Sequence, residues 1–325
     1  MKQTNSTLTF LSAQYRAVMK DAYLKGLAST ALLSTAAMGS IYASTADAAP
    51  TDLNEFKDLA TSGDVTYDKA ESKDIAIGDS GQWNAKLNVT NGKDNGVVFK
   101  PGKTGINVTG AGSLTVSSND AAVVTFGDDA KNYEFAMNIE SIDVKQGKIQ
   151  IKAGQTGART SVAAKNITIG TADTSAKATG PHLIDIQGKS GAVASLGNAT
   201  SQIALNSNGA IHFNGENADA AVLNGHIQAS GGAIEFKQNG TFKAGGKTEG
   251  TNFKIYAGKT AVFDFDAALA KVPDSDAHLK VNGGTFEIQG SEKGTAQAGN
   301  MHIKNGNVEI VTDLSGKEGN ATIKI

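Results

Sequence analysis

Gly209-Ala210-Ile211-His212-Phe213 is answered one short interval later by Gly232-Ala233-Ile234-Glu235-Phe236. Both read glycine, any residue, apolar, polar, apolar. The same phrase stands at Gly112-Ser113-Leu114-Thr115-Val116, Gly147-Lys148-Ile149-Gln150-Ile151, Gly284-Thr285-Phe286-Glu287-Ile288 and Gly306-Asn307-Val308-Glu309-Ile310. Strict alternation is the period of a strand that buries one side only. The last two copies repeat the interval of the first two almost unchanged, and the longer interval from Gly147 to Gly209 reads as three such steps. A fixed period of roughly 20 residues, each holding one short alternating strand, is the mark of a β-solenoid.

Working outward from these phrases, alternating runs begin at residue 73. Asp74-Ile75-Ala76-Ile77, Lys86-Leu87-Asn88-Val89, Ile106-Asn107-Val108, Ile142-Asp143-Val144, Asn166-Ile167-Thr168-Ile169, Leu183-Ile184-Asp185-Ile186 and Gln202-Ile203-Ala204-Leu205 all fit. Gly, Asn, Asp and Ser separate them, residues that supply positive φ and local hydrogen bonds at corners. About a dozen coils at roughly 4.8 Å each would make a rod of about 60 Å. Leu53, Phe56 and Leu59 share one face behind Thr51, which predicts a short helix with Thr51 as N-cap, placed to cover the first coil. Residues 266–276 break the alternation and read as an inserted turn or loop. The predicted organisation is a signal segment at 1–48, a linker and capping helix at 49–72, and a solenoid at 73–325.

Composition narrows the function classes. The 325 residues carry 30 basic and 32 acidic side chains, leaving no broad basic field for nucleic acid or anionic lipid. Only Arg16 and Arg159 are arginine. There is no cysteine, hence no disulfide, no thiolate nucleophile and no cysteine-ligated metal. Apolar residues come as singles and pairs, which builds a thin, long core.

Residues 27–43 contain no charge, and Lys20 and Lys25 precede them. Ala46-Asp47-Ala48 then forms an A-x-A site, so cleavage is expected around Ala46, Ala48 and Ala49. The stretch is studded with Ser, Thr and Gly, which argues against a spanning anchor, and the mature chain is expected not to span a membrane.

The region before the apolar stretch is long. Its centre, Gln14-Tyr15-Arg16-Ala17-Val18-Met19-Lys20-Asp21-Ala22, resembles the extended signal peptide region of large type V secreted proteins of Gram-negative bacteria. The Tyr15-Arg16 pair, the apolar Val18 just beyond it and Lys20 near Ala22 carry the likeness; the usual Trp and Asn-Lys opening are absent. The alternative is an ordinary signal peptide with a long tail. Residues 73–325 resemble the passenger of an autotransporter. That resemblance implies an all-β fold, a right-handed parallel β-helix, with export machinery as one partner and host or bacterial surface molecules, protein or glycan, as others. It also implies a carboxy-terminal barrel of aromatic-girdled strands. No such pattern precedes Ile325, so the expectation is a truncated product or a short relative exported by another route. The expected location is the cell surface or medium, or the periplasm if the barrel is truly absent.

Catalytic signatures fall short. Gly78-Asp79-Ser80-Gly81 matches the nucleophile tetrapeptide of chymotrypsin-like proteases, but in that fold the His base and the carboxylate precede the serine. No His lies between residue 49 and Ser80. Gly-Lys-Thr at 102–104, 246–248 and 258–260 lacks the earlier glycine of a phosphate loop. The histidines, His182, His212, His226, His278 and His302, show no metal-type spacing. His212 should point outward as a solvated residue; a meeting with His226 across adjacent coils is the sharper alternative. Asp185 and Glu235 fall on outward positions. No cofactor and no metal is expected. The reading is a non-catalytic exported solenoid that acts in adhesion or surface interaction. The rivals are a carbohydrate-active β-helix enzyme, whose outward carboxylates would cluster with aromatics in a groove, and a trimeric adhesin head.

Overall fold

The computed structural model describes residues 52–90, 96–117, 122–171 and 182–244, and beyond them the strands at 248–250, 254–257, 260–264, 279–282, 286–287, 300–304, 308–311 and 323–324. Within the first four ranges side chains are described from Asp52 to Lys243, except that of His182. The fold is a parallel β-solenoid. Strands pair in parallel with their equivalents one coil away. They build three faces. The first runs from Gly63–Tyr67 through Ala85–Val89 and Ser113–Ser117. The second is an eight-stranded sheet from Lys73–Ile77 to Lys254–Ala257. The third includes Ile106–Thr109 and Val193–Leu196. The long strands Glu134–Gln146, Arg159–Ile169 and Ala221–Ala229 pass from the third face into the first of the next coil, which joins these two faces into one hydrogen-bonded sheet. Among the described residues no helix is long and apolar enough to cross a membrane.

On the second face Ile75, Phe99, Phe126, Ile151, Ile186, Phe213, Phe236 and Ala257 are in register on successive coils. The steps between them are unequal: the longest runs from Ile151 to Ile186, the shortest from Phe236 to Ala257. Coil length is therefore not fixed. The interval from Gly147 to Gly209 spans two coils, not three. The phrase itself enters the second face at Gly147, Gly209 and Gly232 but the first face at Gly112, and the strand Val308–Val311, which holds the end of another copy, is also on the first face. What recurs is a way of entering a strand from a tight corner. Gly147 and Gly232 have φ of 100° and 80°, where an L side chain is strained. A Cβ on Gly209 would lie 2.4 Å from the Ile169 carbonyl oxygen, so there the need is close approach.

Alternation then places every second side chain inside. Ile211, Phe213, Ile234 and Phe236 are all 0% exposed. Val97, Val124, Ile149, Ile184, Ile211 and Ile234 form one inner column of the second face. The other column carries aromatic stacks: Phe99 on Phe126, centroids 5.1 Å apart and 9° from parallel, and Phe213 on Phe236 at 4.3 Å and 8°. Trp83 and Phe135 extend the first stack from the neighbouring faces. Each buried aliphatic side chain contributes about 1.5–3 kcal/mol before ordering entropy is counted.

The stack starts at Gly63–Tyr67, ahead of the alternation read from residue 73. Before it, in place of the helix expected from Thr51, stands a single 3₁₀ turn, Phe56–Ala60. The Asp58 carboxylate accepts the Asn54 and Glu55 amides, each at 2.8 Å, and sets the turn's start at Glu55. The spacing of Leu53, Phe56 and Leu59 is three, the period of a 3₁₀ helix rather than an α-helix. Leu53 and Leu59 are buried and Phe56 packs against the core. Thr51, the predicted signal segment with Ala46, Ala48 and Ala49, and the insertion at 266–276 lie outside the described residues.

Candidate functional site

The second face turns one column of side chains outward: Asp74, Val98, Thr125, Gln150, Asp185, His212, Glu235, with Tyr256 next in register. Parallel pairing alone brings Asp185, His212 and Glu235, distant in sequence, to equivalent positions on consecutive coils.

Asp185 is 5% exposed, yet it is an ionisable group on the outer side. Its neighbours cover and satisfy it. Gln187 donates from Nε2 at 2.7 Å, Asn214 from Nδ2 at 2.6 Å, and Lys148 Nζ lies 3.4 Å away. His212 is buried rather than solvated, its Nε2 at 3.3 Å from Glu235 Oε2. Lys237 Nζ reaches the same oxygen at 3.3 Å. The His212 contact holds the Glu235 carboxyl below its usual range; burial opposes it, and the charges of His212 and Lys237 add to the lowering. His226 lies on the first face, in register with Gln202, so it does not meet His212. On that first face burial raises the Asp143 carboxyl from its ordinary value, with Lys145 acting against the shift.

Chemically, this ladder sets two carboxylates, Asp185 and Glu235, on either side of an imidazole, with lysines beside both carboxylates. A glycosidase-type pair needs one carboxyl kept protonated near neutral pH as general acid. Glu235 is shifted the other way. The described aromatic side chains are buried, except Phe56, which packs against the core.

Nearer the amino terminus the same face holds a groove of about 210 Å³. Asp74, Val98, Lys100, Thr125, Gly127 and Lys152 line it. Lys100 is paired with Asp74 at 2.7 Å and Lys152 with Asp129 at 3.8 Å. Ser72, Asp128 and Asp129 complete the lining.

Ser80 of the Gly-Asp-Ser-Gly sequence accepts the Asn107 amide at 2.9 Å, and Asp79 pairs with Lys103 of the next coil. Gly102-Lys103-Thr104 is likewise a corner, following the strand Val97–Pro101. The side chains of His182, His278 and His302 lie outside the description. Among the described residues no three His, Cys, Asp or Glu are placed to hold a metal ion. Lys148, Gln187, Asn214 and Lys237 were not singled out in the sequence. Their signal was parity: each has the same place in the alternation of its strand as the outward residue beside it, Gln150, Asp185, His212 and Glu235 respectively. No family model, curated protein or solved structure matches the chain.

Proposed function

We propose that this chain is an exported bacterial β-solenoid of the autotransporter-passenger type, acting in adhesion or surface interaction without catalytic turnover. The observation that carries the reading is the stack itself: a continuous inner spine with polar outer faces, following a segment with the pattern of a secretory signal. Such a stack presents flat, regularly spaced polar faces to large partners and folds by adding coil to coil. The coil is right-handed on this reading, as parallel crossovers overwhelmingly are, and the Phe56–Ala60 turn covers its first rung. Partners are surface proteins or glycans met through many weak contacts, with avidity from repetition. The location is the cell surface or medium, or the periplasm.

Coils that pair within one chain support this over a three-chain adhesin head. The lowered pKa of Glu235 and its contacts with His212 and Lys237 weigh against a role for it as the general acid of a carbohydrate-active enzyme. The test is expression of the full chain in a Gram-negative host, with fractionation, amino-terminal sequencing and a cell-attachment assay. The expected product starts at Ala49, lies outside the cytoplasm and attaches to cells or coated beads. An uncleaved chain confined to the cytoplasm overturns the reading.

A further inference from the structure

The groove on the second face lies beside a corner of the coil, and Lys100, Gly127 and Lys152 are among the residues that line it. Ala76 pairs with Lys100, and the pairings Phe99–Phe126 and Phe126–Ile151 set Gly127 between Lys100 and Lys152. Two lysines thus stand either side of a bare backbone position. Gly127 is held there by the fold: its φ is 91°, and a Cβ would lie 2.2 Å from the Lys152 carbonyl oxygen and 2.5 Å from the Tyr133 hydroxyl. Gly127 thus fixes the corner beside the groove, and the side chains of Lys100 and Lys152 lie on either side of it in the row.

Its lining selects the occupant. Two ammonium groups face three carboxylates, those of Asp74, Asp128 and Asp129. An anion would approach a site with an excess of negative charge, and a cation would have to displace lysines already paired with Asp74 and Asp129. A neutral molecule rich in hydroxyl groups meets neither obstacle. Each hydroxyl both donates and accepts, so it can accept a hydrogen bond from a lysine and donate one to a carboxylate. Ser72 and Thr125 add hydroxyls, and Val98 adds an apolar side chain to the lining, of the kind the C–H face of a ring packs on. The volume is below the ~300–1,000 Å³ of pockets for drug-sized ligands, which limits the occupant to one small ring.

We infer that this groove binds a single uncharged sugar ring of a glycan. The inference takes its glycan source from the surface-interaction role and narrows that role to neutral saccharides. The experiment titrates the folded full chain with hexoses, N-acetylhexosamines and their short oligomers, and in parallel with uronates and sialylated oligomers, followed by calorimetry and amide chemical shifts. At least one uncharged sugar is expected to bind saturably. Binding should weaken tenfold or more in Lys100→Ala, in Lys152→Ala and in Val98→Trp, which fills the groove. It should persist in Lys165→Ala, whose exposed partner is Glu140 on the neighbouring coil. A folded wild-type chain that binds no uncharged sugar, that prefers acidic sugars, or that binds equally well in the groove variants overturns the inference. Cell attachment separates the two readings. Attachment that survives in the lysine variants removes the groove and leaves the surface role, whereas sugar binding by a chain that never attaches to cells removes the role and leaves the groove.

Discussion

Phe213 and Phe236 provide the sharpest probe of the spine. They come from consecutive coils, both are 0% exposed, and their rings lie 4.3 Å apart and 8° from parallel. Phe213→Ala and Phe236→Ala should each cost about 3–5 kcal/mol, the transfer of a ring plus the cavity left behind. A stacked pair also carries about 0.5–1.5 kcal/mol beyond its area. Once one ring has gone, that extra part cannot be lost twice, so the double variant should lose about 0.5–1.5 kcal/mol less than the sum of the singles. Urea unfolding followed by circular dichroism measures the three costs. Amide exchange locates them: protection should fall first in the strands His182–Gly188, Gly209–Gly215 and Ala233–Phe236, because each coil is supported only by its neighbours. Trp83, the one tryptophan and several coils away, should report the change later. A coupling inside the ~0.3–0.5 kcal/mol error of additivity refutes the ring-on-ring spine. Uniform loss of protection from Gly63 to Phe236 refutes nearest-neighbour support.

Three further outcomes follow from the same geometry. Ile234→Asp puts a carboxylate in the inner column beside Ile211 and should cost about 4 kcal/mol or more, with exchange rising in both adjoining coils as well as its own. Gly127→Ala should destabilise by at least about 2 kcal/mol, read as a fall in the urea midpoint, because its Cβ has no space and its φ is 91°. The third concerns pH. The folded-state pKa of Glu235 lies below its unfolded value, so its contacts with His212 and Lys237 stabilise the fold above the ordinary carboxylate range. That contribution is lost as pH falls through the lowered pKa. The gap in melting temperature between wild type and Glu235→Gln should close in acid, as pH falls through the lowered Glu235 pKa; a gap that keeps widening there would falsify the assignment.

Much of the fold was legible because alternation is a local consequence of burying one side of a strand. Ile211, Phe213, Ile234 and Phe236 could be placed inside from the two phrases that contain them. Coil length was not legible in the same way. A corner between faces can be tight or long without disturbing the register of the strands it joins, so the step from Ile151 to Ile186 is half as long again as that from Phe213 to Phe236. Equal spacing between copies of a glycine phrase therefore counts corners, not coils. The amino-terminal turn shows a related confusion. Leu53, Phe56 and Leu59 fit one face of an α-helix loosely and a 3₁₀ turn better, and the tie is broken by Asp58, whose side chain competes for the Asn54 and Glu55 amides.

The outer face was legible only in direction. Alternation states that Asp185, His212 and Glu235 point away from the spine, and the usual inference is that outward polar residues are solvated. In a parallel stack that inference fails, because each outward side chain has equivalents about 4.8 Å above and below it, and long neighbours close over short ones. Asp185 is covered by residues from its own coil and both adjacent ones: Gln187, Lys148 and Asn214. Gly127 is another case: its bare Cα leaves room for the Lys152 carbonyl and the Tyr133 hydroxyl at a corner between two lysines. Both depend on which residues from distant positions share a column, and that follows from the coil lengths. An error of one coil between Gly147 and Gly209 dissolves the whole ladder, although every strand within it is correctly read.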